Sequence, residues 1–206
     1  MTKGLFTKTV ILCSIAIISQ NKSVVSAELC PDAVTKNESM FGTDNQGASV
    51  SFGYYGAERV ISMESGKYSV LMKGCVFLFG CKNEFIKDKE SSRDIVWSRS
   101  YSIDTTVSYL KSIGDSIAYV LTENGAKYKV EGKVVDKSRY QIKNCNYDAL
   151  VIDSSRVSFG GGQVSSERKS RIIYVPKIDI TVEVVRNEVS NGITRENTWS
   201  LVDLHH

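Results

Sequence analysis

His205 and His206, both at the extreme C-terminus, are the only imidazoles in this 206-residue chain. A Ser-His-Asp triad or a Cys-His dyad needs an imidazole held by the fold beside its nucleophile, and the common zinc sites need histidines or clustered cysteines. A terminal dipeptide frays and serves neither purpose. Ser108-Tyr-Leu-Lys111 and Ser166-Glu-Arg-Lys169 fit the Ser-x-x-Lys spacing of some acyl-transfer enzymes, but no Ser-Asp-Asn or Lys-Thr-Gly follows either one. Gly160-Gly-Gly162 lacks the Gly-Lys-Ser/Thr of a phosphate-binding loop and reads as a hairpin connection. Thr43-Asp-Asn-Gln-Gly47 has the composition of a calcium loop without its alternating carboxylates, and reads as a surface turn. Carboxylate chemistry remains, with one acid and one base as in glycoside hydrolysis. Spacing nominates no pair among the 23 Asp and Glu residues. No catalytic residue, cofactor or metal is therefore expected.

Two binding features stand beside these. Phe52, Tyr54 and Tyr55, next to Gly53 and Gly56, form a candidate ligand-facing patch, although aromatics alternating along a strand more commonly build a core. Arg168-Lys169-Ser-Arg171 is a small basic cluster that also reads as a solvated strand end.

The N-terminus fixes where such features would work. Lys3 and Lys8 precede the apolar run Val10-Ile-Leu-Cys-Ser-Ile-Ala-Ile-Ile18, and Val25-Ser-Ala27 offers small or modest side chains at a cleavage point. That is the pattern of a signal peptide over residues 1–27, with an apolar run too short for a membrane-spanning helix. No later segment approaches a transmembrane span. Residues 28–206 then form a single β-rich domain, periplasmic or secreted. Three of the 26 basic residues, Lys3, Lys8 and Lys22, precede the first acid, Glu28, so the formal charge of +3 belongs to the leader. The remaining domain is neutral, which argues against a nucleic-acid partner.

Cys13 leaves with the leader, and Cys30, Cys75, Cys81 and Cys145 remain. An even set in an oxidising compartment points to two disulfides. Three pairings are open. Cys75–Cys81 with Cys30–Cys145 is preferred, because the first closes a short loop and the second ties the mature N-terminus to the body of the fold.

Short β-branched and aromatic runs bounded by Gly, Asn, Asp and Ser recur about every ten residues from Ala48 onward. Val50–Tyr54, Arg59–Met63, Tyr68–Met72 and the doubly apolar Val76–Phe79 read as strands, with Glu64-Ser-Gly66 as a turn. The charged stretch Lys82–Asp94 reads as an exposed loop or short helix, and Ile95–Ile103 places Trp97 and Tyr101 at strand spacing. Asn124-Gly125 and Asn191-Gly192 are hairpin turns, since both turn positions demand positive φ. Ile178, Ile180, Val182 and Val184 alternate with polar residues, as a half-buried strand does. Tyr147–Ile152, Val157–Phe159 and Arg171–Val175 supply further strands. Ile103–Leu110 and Cys30–Met40 are candidate short helices. The expected fold is mainly β: an antiparallel meander forming a barrel or a strongly curved sheet or sandwich, with one or two short helices.

The order Leu110-Lys-Ser-Ile-Gly-Asp-Ser-Ile-Ala-Tyr119, Val130-Glu-Gly-Lys-Val-Val135, Tyr147-Asp-Ala-Leu-Val-Ile152 and Ile173-Tyr-Val-Pro-Lys-Ile178 resembles a loose group of uncharacterised bacterial periplasmic or secreted β-rich proteins. The likeness covers residues 110–186 and consists of structural punctuation. It departs at Tyr109 and Asn146, where that group often has Pro and Gly. The resemblance implies a β fold and an envelope location, and carries no chemistry.

Three functions follow as expectations. The first is a non-catalytic envelope or secreted protein that binds a protein partner or an apolar small ligand in a barrel mouth, with an apolar cavity. The second is a carboxylate-dependent hydrolase, with two carboxylates converging in a polar cleft. The third is a host-facing adhesion or virulence factor, with a large exposed aromatic patch and no pocket.

Overall fold

The structure, a computed structural model, describes residues 30–32, 38–76, 80–91, 93–101, 110–160, 163–190 and 193–206. Twelve strands follow one another: β1 Met40–Asp44, β2 Ser49–Tyr55, β3 Glu58–Glu64, β4 Tyr68–Val76, β5 Gly80–Asp88 and β6 Asp94–Tyr101, then β7 Ser116–Glu123, β8 Ala126–Ile142, β9 Cys145–Gly160, β10 Gln163–Val175, β11 Ile180–Ser190 and β12 Ile193–His205. Each pairs antiparallel with the next, and β12 pairs back onto β1, so the meander closes into a barrel. Closure gives every strand two neighbours and leaves no edge open to another chain.

Among the described residues there is no helix. The expected helix over Ile103–Leu110 falls outside the described residues except for Leu110, as does the middle of the one expected over Cys30–Met40. Met40 itself opens β1. The expected leader at residues 1–27, the segment Phe77–Phe79, Gly161-Gly162 and Asn191-Gly192 also lie outside. One expectation is corrected. The charged stretch from Lys82 is not a loop or helix but most of strand β5, and only residues after Asp88 form the connection to β6. Its charge misled because Glu84 faces inward, where an arginine neutralises it.

Local chemistry sets the turns. Asn124 and Gly125 take φ of 48° and 85°, the doubly positive pair that a two-residue hairpin with matching twist requires. Asp44 closes the β1–β2 turn: its Oδ1 accepts from the amides of Gln46 (2.9 Å) and Ala48 (2.8 Å), and its Oδ2 from Trp199 Nε1 (3.0 Å). The calcium-like stretch is thus a turn whose one buried carboxylate is occupied by the protein's own donors.

Pleating divides the wall into two faces. On β7, Tyr119, Leu121 and Glu123 are buried with exposed Val120 and half-buried Thr122 between them, and on β8 Val130, Gly132 and Val134 alternate with exposed Lys129, Glu131 and Lys133. The outer face of β8–β10 carries ion pairs between Lys129 and Glu131 (2.7 Å), Arg171 and Asp153 (2.9 Å), and Lys169 and Glu167 (3.7 Å). Exposed pairs of this kind add little stability but keep that surface wet.

Apolar side chains fill the end of the barrel where β1 begins and β12 ends. Met40, Val50, Phe52, Leu201 and Leu204 join Val175, Ile178, Ile180 and Val182 in the largest cluster. A bulge between Val134 and Asp136 shifts the β8–β9 register. Beyond it Ile142, Cys145, Tyr147 and Ala149 enter the same cluster. The hairpin end reaches β11 and β12, where the Tyr140 hydroxyl lies 3.3 Å from Glu183 Oε2 and Lys143 pairs with Asp203 at 3.6 Å. Leu110, from the β6–β7 connection, packs on Val134, Leu150, Ile152 and Tyr174.

Both disulfides are those preferred from the sequence. Cys75 and Cys81 sit directly opposite on β4 and β5, with Cα atoms 3.9 Å apart. Cys30 is joined to Cys145 at the start of β9. The Tyr147 hydroxyl donates to the Pro31 carbonyl (3.2 Å) and Lys177 pairs with Asp32 (2.8 Å), so the strap before β1 is held at three points.

Gly42 marks the seam that closes the barrel. A Cβ there would stand 2.3 Å from the Asp203 carbonyl oxygen on β12. Gly42→Ala is therefore expected to lower stability by about 2 kcal/mol, as overpacking against an unyielding backbone does. Urea denaturation checks this, and an unchanged midpoint would mean that β1 does not lie this close to β12.

Candidate functional site

The inner face changes character toward the opposite end of the barrel, where the Asn124-Gly125 turn lies. Tyr119, Leu121 and Val130 form a small apolar cluster, with Ile117 and Tyr128 packed against it. Next along the inner face of β7 stands Glu123, a carboxylate in phase with Tyr119 and Leu121 and only 7% exposed. Two guanidinium groups hold it. Arg99 on β6 donates from Nε to Glu123 Oε1 at 2.6 Å, and Arg156 on β9 donates from Nη2 to Oε2. Arg99 also uses Nη1 for Glu84 Oε2 on β5 (2.9 Å) and for the Cys81 carbonyl (3.3 Å). The Arg156 guanidinium lies on the Tyr128 ring, its carbon 3.7 Å from the centroid, a cation–π contact that fixes its plane.

Burial alone would push the Glu123 carboxyl up. Hydrogen bonds from Arg156 and Arg99, with their charges, outweigh burial and hold it below the ordinary glutamate range. Burial likewise works against the Arg99 charge, and the two glutamates reverse this and strengthen it. The layer is thus an ionised Glu–Arg–Glu–Arg chain across four strands.

Beside this layer lies a cavity of about 440 Å³, lined by Glu84, Ile86, Trp97, Arg99, Glu123, Tyr128, Arg156, Ser166 and Arg168. Its walls come from β5 through β10, half of the ring of strands. The volume is that of a small-molecule site. Its lining differs from the apolar lining expected for the first function, since five of the nine side chains are charged. Trp97, Tyr128 and Ile86 supply the apolar and aromatic portion.

A general acid needs a raised pKa, and a base or nucleophile needs a free oxygen. Glu123 has the opposite shift and both oxygens engaged. The two carboxylates that converge here are consequently joined by an arginine and built for holding charge in place.

A second recess, about 410 Å³, is lined by Arg139, Asn146, Tyr147, Asp148 and Lys177 near the β8–β9 turn. Its Arg139 and Asp148 are almost wholly exposed and meet only at 4.0 Å. A separate polar cluster joins the Arg59 Nη1 and Tyr174 hydroxyl to Asp179, each at 2.6 Å. Burial and the neighbouring Asp179 push the Tyr174 phenol well up, and burial with Glu183 pushes Tyr140 to about 12.

The residues singled out from the sequence fare unevenly. Phe52 is 2% exposed in the main core and Tyr54 packs against it, whereas Tyr55 is 76% exposed on the outer face. The three do not make one surface. Arg168 lines the cavity, while Lys169 and Arg171 pair with acids on the outer wall, so that basic cluster is split by the pleat. Ser166 and Lys169 part in the same way: the Ser166 hydroxyl meets that of Ser158 at 2.6 Å. Ser108 lies outside the described residues. His205 stacks on Phe41 at 6.3 Å between centroids. Exposed Phe41, Leu71, Phe85 and Val96 lie on one outer register row, but Ser51 and Ser62 separate Phe41 from the rest.

Arg99, Glu123 and Arg156 were not foreseen. Their signal is phase: Glu123 continues the Tyr119, Leu121 alternation, and Arg156 continues that of Ile152. A charge at an apolar position of an alternating strand needs a buried partner. Among the described residues no helix is long and apolar enough to cross a membrane. The chain matches no protein-family model, no curated protein and no solved structure.

Proposed function

We propose that this chain is an exported, non-catalytic β-barrel that takes a small ligand into the end of its bore. The observation that carries the reading is the cavity itself: ligand-sized, framed by six adjoining strands, and walled by Trp97 and Tyr128 together with a pre-set charge network. A rigid wall with fixed polar groups and an aromatic surface is what binding requires, because little remains to be ordered when the ligand arrives. Export is supported by the leader-like residues 1–27 and by two disulfides of the kind that persist in oxidising compartments. The periplasm or the extracellular space is the proposed place of work. The hydrolase reading loses its support with the ionised, doubly bonded state of Glu123.

Mass spectrometry under native conditions tests both parts, on chain isolated gently from the cell that makes it. The expected result is a mature N-terminus near Glu28 and a small-molecule adduct that is absent from a Ser166→Phe variant, whose new ring fills the cavity. An N-terminus remaining at Met1 would overturn export. A wild-type chain without adduct, or an adduct that survives Ser166→Phe, would overturn the cavity as the binding site.

A further inference from the structure

We infer that the ligand is a saccharide, an uncharged ring carrying several hydroxyls, laid against Trp97. This rests on the reading of the cavity as a binding site and names the chemical class that fits it.

The first observation is that the charges lining the cavity are matched among themselves. Arg99 holds Glu84 and Glu123, Arg156 holds Glu123, and register sets Glu188 of β11 directly opposite Arg168. An ionic ligand would have to compete with these pairs, and each partner it displaced would be left as a desolvated charge.

The second observation is that the matching does not use up the hydrogen-bonding groups. A carboxylate accepts at two oxygens, and a guanidinium donates from five N–H groups. Glu84 engages Arg99 through Oε2, and Arg156 engages Glu123 through Nη2. Among the described residues the other terminal atoms, Glu84 Oε1 and Arg156 Nη1, make no hydrogen bond, and neither is buried. The paired hydroxyls of Ser158 and Ser166 add neutral groups on β9 and β10. A hydroxyl donates and accepts at one atom, so it suits a wall on which acceptors and donors lie side by side. An apolar ligand would leave those same groups unpaired.

The third observation is the place of Trp97. It stands directly opposite Glu84 across the β5–β6 pair, two residues before Arg99 on the same inner face, and it is half-buried. The negative face of an indole attracts the C–H bonds on the flat side of a sugar ring. Hydroxyls at the edge of a ring stacked there would meet the Glu84–Arg99 pair beside it. The Arg156 guanidinium already lies on Tyr128, which leaves Trp97 as the aromatic platform of the lining. A cavity of about 440 Å³ has room for a disaccharide.

Calorimetric titration of the mature chain with maltose, cellobiose, N,N′-diacetylchitobiose, 1-naphthol and adenosine tests the inference. At least one of the three disaccharides is expected to bind about tenfold tighter than either 1-naphthol or adenosine. Trp97→Ala is expected to weaken that disaccharide about tenfold, and Trp97→Phe, which restores a flat ring, only about threefold. Ser166→Phe is expected to abolish its binding, and decides the matter if Trp97→Ala does not fold. Tightest binding of 1-naphthol or adenosine, lost in Ser166→Phe, would overturn the saccharide inference and leave the cavity reading standing. A disaccharide that binds Trp97→Ala and Ser166→Phe as it binds wild type would sit elsewhere on the barrel and overturn the inference. Binding of none of the probes would also overturn it, and the native adduct alone would then decide the cavity reading.

Discussion

A chain carrying Cys30→Ala with Cys145→Ala is expected to lose about 5 kcal/mol of stability, against about 2 kcal/mol for Cys75→Ala with Cys81→Ala. The difference follows from the denatured chain. Cys30–Cys145 closes a loop of sequence separation 115, whereas Cys75–Cys81 spans a separation of 6. The entropy removed from the unfolded ensemble grows with the logarithm of loop length. Domains of this size are stable by only about 5–15 kcal/mol, so the first double variant stands near the folding threshold and the second does not. Urea denaturation of the three chains, each otherwise oxidised, measures the two losses. Equal losses would show that the long bridge acts only locally, by holding residues 30–32 against Tyr147 and Lys177.

The second large effect is at Glu123. Glu123→Ala leaves Arg99 and Arg156, 17% and 22% exposed, facing each other without their shared counter-charge. Removing one member of a largely buried ion network costs about 3 kcal/mol, mainly through the desolvated charges left behind. Glu123→Gln keeps the shape and some hydrogen bonding, and is expected to fall between. The pH dependence has a defined sign. The folded-state pKa of Glu123 lies below its unfolded value. Its contribution is therefore complete above the ordinary glutamate pKa, near 4.3, and is lost as pH falls through the lower folded value. The difference in stability between wild type and Glu123→Ala should shrink across that acid window. A difference that stays constant down to the acid limit would mean that the carboxylate is not what holds the two arginines.

Local features of the fold were legible because local physics sets them. Asn124-Gly125 forms its hairpin, the alternation of Ile180 and Val182 is buried as read, and the two disulfides close as preferred. Closure into a barrel was not legible beyond an alternative to a sandwich. It depends on β1, five residues beginning at Met40 where a helix was expected, and on pairing Phe41 with His205 across nearly the whole chain. The site was obscured for a related reason. Arg99 meets Glu84 across 15 residues, and Glu123 across 24. Reading β5 as a loop removed the inner face to which Glu84 belongs. Trp97 was visible at strand spacing, yet its role depends on Tyr128 and Arg156 arriving from two other strands. Phe52, Tyr54 and Tyr55 drew attention by composition, and the pleat sends the first two to the core and the third to solvent.

Emission from Trp97 offers the most direct test of where the ligand sits. The chain has two tryptophans, and Trp199→Phe leaves Trp97, in the cavity wall, as the sole reporter. Titration of that variant with the small molecule identified by native mass spectrometry is predicted to change its emission saturably, and Ser166→Phe is predicted to abolish the change. A bound small molecule seen by mass spectrometry with unchanged Trp97 emission would put the ligand elsewhere on the barrel and contradict the assignment of the bore as the binding site.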